Sequence, residues 1–234
     1  MRIVCVATEG GSPLFSSALG HGEDPYLTVW QPGLTLTRTL SAENTSNEIV
    51  LTVQGAPTLH RPVQRRRRRH HPQGSELPTR RQRVAAYGIV LSERGILGTE
   101  FSKLTNASGS FGLPGGGIEP GEQPPHTVVR EVHEETSQHV TIGPLVDVQS
   151  DHWIGHAPNG RFEDFHAVRL VYTVFCDDPT DPVVIDVGGT TASARWVPLD
   201  NWRDTPWVSG SRALLAKHLP EVRRLWALHR AERD

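Results

Sequence analysis

The run Leu113-Pro114-Gly115-Gly116-Gly117 constrains this 234-residue chain more than any other feature. A proline followed by three glycines has little side chain to pack and much backbone entropy to lose, so a loop is expected there. The next stretch is helical in pattern. Prolines 124 and 125 suit a first turn, where backbone N–H groups have no intrahelical acceptor, and Val128, Val129 and Val132 form the apolar stripe of a helix over about 123–136. Residues 85–101 read as a hairpin, because Ala85 to Leu91 and Ile96 to Phe101 are apolar runs separated by Ser92-Glu93-Arg94-Gly95. Residues 140–148, 167–175 and 192–197 read as strands, the second rich in β-branched and aromatic side chains. Residues 211–218 have helical spacing. Pro220 then suits the first turn of a final helix whose Val222, Leu225, Trp226 and His229 fall at i, i+3, i+4 and i+7.

The near-neutral total of 24 Lys and Arg against 26 Asp and Glu conceals two unlike parts. Residues 1–83 carry 11 Arg, no Lys and 6 acids, net +5, whereas 84–234 carry 13 basic and 20 acidic residues, net −7. The first part has few sustained apolar patterns and is studded with Gly, Ser, Thr and Pro. A mostly disordered segment is therefore expected over 1–82, with one hairpin at most, its candidate strands being Tyr26 to Trp30 and Glu48 to Val53. The run Arg65 to Arg69 reads as a solvated linker, since no aromatic residues interleave with it. Clustered guanidinium groups also draw polyanions by releasing counterions, so a weak polyanion contact is the second reading.

No apolar run approaches the roughly 18–20 residues of a spanning helix, and Ile3 to Ala7 is shorter than the roughly 7–15 residue core of a secretory signal. A cytoplasmic protein without membrane contact is expected. Cys5 and Cys176 lack CxxC or Cys/His spacing and read as free thiols, Cys176 as a buried one.

The chemistry is concentrated between Gly116 and Gln138. On a helix starting near Gln123, Glu131, Glu134 and Glu135 stand at i, i+3 and i+4, so their carboxylates share one face. Like charges at that spacing cost roughly 0.2–0.5 kcal/mol per pair, which a cation among them would offset. Ligands that are all oxygen point to Mg²⁺ or Mn²⁺, ions that bind a few carboxylates together with substrate phosphates. The glycines beside them let backbone N–H groups approach an anion.

Gly116, five residues, Glu122, seven residues, then Arg130-Glu131-Val132-His133-Glu134-Glu135 closely resembles the Nudix box of the Nudix hydrolase family. Leu113-Pro114-Gly115-Gly116 and Trp196-Val197-Pro198-Leu199 are also similar to what that family shows. The resemblance spans about residues 83–204. It implies an α/β fold, an α/β/α sandwich around a mixed sheet, with a Nudix domain over 83–205 and a helical extension over 206–234 packing on it. It further implies that Glu131, Glu134 and Glu135 hold divalent Mg²⁺ or Mn²⁺, that Glu122 supports them, and that Arg130 orients a glutamate. The implied activity is pyrophosphohydrolysis, attack of water on a phosphoanhydride in a nucleoside diphosphate linked to another group, as in nucleoside triphosphates, ADP-ribose or nucleotide sugars. The rival is a non-catalytic Nudix-fold module that binds nucleotide. Many relatives are dimers, which makes a homodimer an expectation here too. The box departs from the family at its end, where Ser137 and Gln138 replace a glycine and an aliphatic residue; a left-handed Ser137 would be strained by about 1 kcal/mol.

Family members often draw a further carboxylate from outside the box. Glu163 is the first choice as general base, ahead of Asp164 and Asp186, and residues 190–194 offer no acid. Trp153 and Phe165 are candidates for stacking on a base, and Gly115 and Gly116 for binding substrate phosphate. His152, His156 and His166 are able to bind metal or phosphate, though Mg²⁺ does not need them.

Overall fold

The computed structural model describes residues 1–62, 68–69, 77–157 and 160–233. The expectation for the arginine run falls outside them, since residues 65–67 lie beyond the described set and nothing is described of the Arg68 and Arg69 side chains. The chain forms two compact units, each assembled from three segments. The first holds Met1–Ala85, Gly117–Pro124 and Leu145–Val171, and the second holds Ala86–Gly116, Pro125–Pro144 and Tyr172–Asp234.

The first unit corrects the low order expected of the N-terminal segment. Strands β1 (Arg2–Val6), β2 (Pro13–Ala18), β3 (Leu34–Thr45) and β4 (Glu48–Pro57) form a four-stranded sheet in the order β2-β1-β4-β3. β1 runs parallel to β4 and antiparallel to β2, and β3 is antiparallel to β4. Ile3, Cys5, Leu51 and Val53 are wholly buried on alternate positions, the two-residue period of a sheet with one covered face. Glu48 to Val53 is a strand as expected. Tyr26 to Trp30 is not: helix α1 spans Pro25–Trp30. Asp24 accepts a hydrogen bond from the Tyr26 backbone N–H at 2.9 Å and Pro25 fills the first helical position, so local capping overrides the β preference of Tyr, Val and Trp. The tight β3–β4 turn places Ser46 and Asn47 at φ 52° and 67°, the mirror-image turn that suits strand twist.

Contacts distant in sequence complete this unit. Thr39 Oγ1 donates to the Leu145 carbonyl at 3.0 Å, Tyr26 Oη donates to Asp147 at 2.8 Å, and the Gln123 amide exchanges two hydrogen bonds with the Asn44 backbone, at 2.8 and 2.9 Å. The residue just before the glutamate helix is thereby tied to β3.

The remaining strands are β5 (Arg68–Arg69), β6 (Thr79–Ser92), β7 (Gly95–Phe101), β8 (Phe111–Gly112), β9 (Gly115–Gly117), β10 (Thr141–His156), β11 (Phe162–Phe175) and β12 (Thr191–Val197). Their sheet runs β12-β7-β6-β11-β10-β5, with β8 on β7 and β9 on β6. The triple glycine, expected as loop, is therefore a three-residue strand. A Cβ at Gly115 would strike the Ala86 carbonyl and Tyr87, so the missing side chains are what admit this backbone beside β6. The β6–β7 hairpin is as expected, with Ser92 opposite Gly95. Gly95, at φ 117°, lies under the Val197 carbonyl, where no Cβ fits.

In the second unit, α2 (Pro124–Thr136) buries Val128 and Val132, and Val128 lies beside Gly88 and Val174. The expected break at Pro220 is absent, and α3 runs unbroken from Ser209 to Ala231. Leu215, Leu219 and Val222 are buried along one stripe, and that burial outweighs the hydrogen bond the proline cannot make. Trp226 and His229 pack on Phe175, with ring centroids 5.8 and 4.5 Å away. Among the described residues no helix is long and apolar enough to cross a membrane.

Leu51→Ala is expected to lower the unfolding free energy by about 2–5 kcal/mol in urea denaturation. A low-order N-terminal segment would leave it unchanged.

Candidate active site

Three of the expected metal ligands and Arg130 meet in the second unit, because α2 projects them from one face. Arg130 Nη1 donates to Glu131 Oε1 and to Glu134 Oε2, both at 3.0 Å, so one guanidinium links two carboxylates. Glu135 is held differently. It accepts from the Gly115 backbone N–H at 3.0 Å and from Thr191 Oγ1 at 2.5 Å. Burial pushes its carboxyl up to about 7; the Thr191 and Gly115 hydrogen bonds oppose this, and the charges of Glu131 and Glu134 add to it. The three carboxylates offer only oxygen donors, the kind a hard divalent cation takes.

The glycines shape this cluster. The Gly115 N–H is engaged by Glu135, and a Cβ at Gly116 would overlap the Glu131 carboxylate. Both glycines lie against the glutamates, where they were expected beside substrate. Thr191 was missed by sequence reasoning, which searched residues 190–194 for an acid; a hydroxyl beside a carboxylate leaves no signal in a single sequence.

The degenerate end of the box has a structural account. Ser137 stands at φ 58°, the left-handed conformation a glycine would take without strain. Its N–H donates to the His133 carbonyl at 2.8 Å, and its Oγ accepts from the Val183 N–H at 3.3 Å. Gln138 is buried, donates to Thr180 Oγ1 at 2.9 Å and to the Thr136 carbonyl at 3.0 Å, and accepts from the Thr180 N–H at 2.9 Å. An amide clamp thus stands where an aliphatic residue would pack. Residues 183–186 cover the helix end: Val183 N–H donates to the Thr136 carbonyl, and those of Ile185 and Asp186 to the Glu134 carbonyl, at 3.1, 2.8 and 3.1 Å. Asp186, one alternative base, is thereby fixed at the C-terminal end of α2.

The other candidates belong to the first unit. Glu122 accepts from the Glu119 N–H at 3.0 Å within its own turn, and its carbonyl accepts from Asn44 Nδ2 at 3.0 Å. Glu163 is buried, with Arg81 Nη1 3.5 Å from its Oε1. Trp153 and Phe165 pack with centroids 5.4 Å apart, and the Arg81 guanidinium lies 5.9 Å from the Phe165 ring. Asp164 is drawn into a histidine cluster. Burial raises its carboxyl, but hydrogen bonds from His152 and His21 outweigh that and hold it below the ordinary range.

With this geometry in place, comparison with known proteins identifies the class. A model of the NUDIX domain matches residues 81–218, more than half the chain, and the chain belongs to the Nudix family. Similar solved structures include a MutT Nudix hydrolase from Burkholderia pseudomallei (24% identity over 58% of this chain and 98% of that one, TM-score 0.44). They also include the Nudix hydrolase RenU from M. smegmatis (20%, 62% and 88%, TM-score 0.48) and the Nudix domain of Shewanella oneidensis NrtR complexed with ADP ribose (15%, 65% and 94%, TM-score 0.46). No curated protein sequence matches the chain.

Two outcomes are expected. Gln138→Leu, which restores an aliphatic side chain, lowers stability by about 1–3 kcal/mol in chemical denaturation because the Thr180 N–H loses its acceptor. In chelator, stability declines as pH rises from about 5 to 8, since folded Glu135 binds its proton more tightly than the unfolded carboxyl does. The decline has an upper bound of about 3 kcal/mol and flattens in Glu135→Gln, read from melts across that range.

Proposed function

We propose that the chain is a divalent-metal-dependent pyrophosphohydrolase that cleaves a phosphoanhydride in a nucleoside diphosphate linked to another moiety. The observation that carries this reading is the cluster of three carboxylates on one helix face, Glu131 and Glu134 joined by Arg130 and the half-buried Glu135 held by Gly115 and Thr191. The donor set suits Mg²⁺ or Mn²⁺, with Glu131, Glu134 and Glu135 as ligands and Glu122 in support. When bound, the cation supplies charge neutralisation at phosphate oxygens.

The chain's own residues do the rest. Arg130 fixes the rotamers of Glu131 and Glu134 through its two hydrogen bonds. Gly115 and Thr191 hold Glu135 in place through their two hydrogen bonds. Glu163 is proposed as the general base, with the Arg81 guanidinium 3.5 Å from its carboxylate, and Trp153 and Phe165 as a platform for a base. The substrate class is a small nucleotide derivative of the triphosphate, ADP-ribose or nucleotide-sugar type.

The test is turnover of a panel of such compounds with Mg²⁺ or Mn²⁺, products read by mass, beside Glu134→Gln and Glu135→Gln. Metal-dependent cleavage at a phosphoanhydride that falls by two or more orders of magnitude in the variants is expected. No turnover, with tight binding of one nucleotide by calorimetry, would replace this reading with a binding module.

A further inference from the structure

A second cluster of metal-ligating side chains lies in the first unit and shares no residue with the glutamate helix. His21 follows β2 in a short loop, His152 stands on β10 and Asp164 on β11. His21 Nε2 lies 2.9 Å and His152 Nε2 2.5 Å from the same oxygen, Asp164 Oδ1. The three ligand atoms lie within 4.8 Å of one another, and among the described residues no other three His, Cys, Asp or Glu donors meet so closely. The side chains are 20%, 12% and 14% exposed, so the cluster is recessed yet reachable.

We propose that His21, His152 and Asp164 form a binding site for a divalent transition-metal ion of the Zn²⁺ class. Two imidazole nitrogens and a carboxylate oxygen are ligands that borderline ions prefer and that Mg²⁺ does not require. Ligands about 2.0–2.1 Å from a tetrahedral ion stand roughly 3.3 Å apart, so opening each N···O contact by less than about 1 Å makes room. Three protein ligands leave the fourth position to solvent.

The backbone makes room for the cluster. The His152 ring packs on Gly22, where a Cβ would strike it. That glycine, at φ 73°, lets the loop bring His21 alongside. His166, fully buried, contacts both histidine rings edge-on at 5.7 and 6.1 Å, while its own nitrogens are engaged by Gln82 at 3.1 Å and Ser150 at 2.9 Å. It braces the cluster and leaves ligation to the other two. A metal here would cross-link the N-terminal loop to β10 and β11, tying sequence positions more than a hundred residues apart.

The test uses the full chain stripped of metal and titrated with Zn²⁺ by calorimetry in millimolar Mg²⁺, beside His21→Gln, His152→Ala and Glu134→Gln. One equivalent of Zn²⁺ is expected to bind wild type and Glu134→Gln alike and to raise the melting temperature, with affinity falling at least about 100-fold in the histidine variants. Unchanged Zn²⁺ binding in both histidine variants, or none in wild type, would overturn the proposal. Wild-type imidazole ¹⁵N spectra keep the test decisive if a variant fails to fold. Zn²⁺-induced shifts at two histidines support the site, and shifts at none sink it. Because no readout uses nucleotide hydrolysis, failure here is distinguishable from failure of the proposed activity.

Discussion

The desolvation of Glu135 organises the glutamate cluster of the second unit. A carboxylate removed from water needs hydrogen-bond donors, and it has two: the Gly115 N–H, available because a bare glycine backbone approaches β6, and the Thr191 hydroxyl at the start of β12. Glu131 and Glu134, on the same helix face, place more negative charge beside it, and Arg130 offsets part of that charge. Two carboxylates are therefore satisfied by a guanidinium and the third by a backbone amide and a hydroxyl. The three carboxylates are thereby held close to one another by fixed partners, with net negative charge among them.

The end of α2 shows how a motif tolerates departure when neighbouring chain compensates. Ser137 takes the left-handed conformation despite its Cβ, and its hydroxyl recovers a hydrogen bond from Val183 that glycine could not accept. Gln138 exchanges apolar contact for a saturated amide network with Thr136 and Thr180. The last helical carbonyls are answered by the N–H groups of Val183, Ile185 and Asp186. Ser137 and Gln138 thus depart from the box while Glu131, Glu134 and Glu135 keep their places in it.

Legibility varied with the range of the forces involved. The β6–β7 hairpin, α2 and the carboxylate face were readable because local periodicity and turn residues set them. The pairing that buries Leu51 and Ile3 was not readable, because β1 and β4 are parallel neighbours separated by more than forty residues and each alternation is short when read alone. Few sustained apolar patterns and many Gly, Ser, Thr and Pro suggested disorder, but the segment pairs into a sheet with alternate residues buried and is tied by hydrogen bonds to Gln123, Leu145 and Asp147. Pro220 reads locally as a helix start, yet the buried stripe on either side of it carries α3 through.

The sequence by itself determined the box: the helix, the spacing of Glu131, Glu134 and Glu135, and Arg130 one position before the first of them, because helical geometry converts spacing directly into a shared face. Only the tertiary structure decided that Glu135 is the desolvated carboxylate, that Thr191 holds it, that the N-terminal segment is a sheet, and that His21 meets His152 and Asp164. Each of those depends on contacts between residues far apart in the chain, whose pairing is set by packing and by hydrogen bonds that must be satisfied once water is excluded.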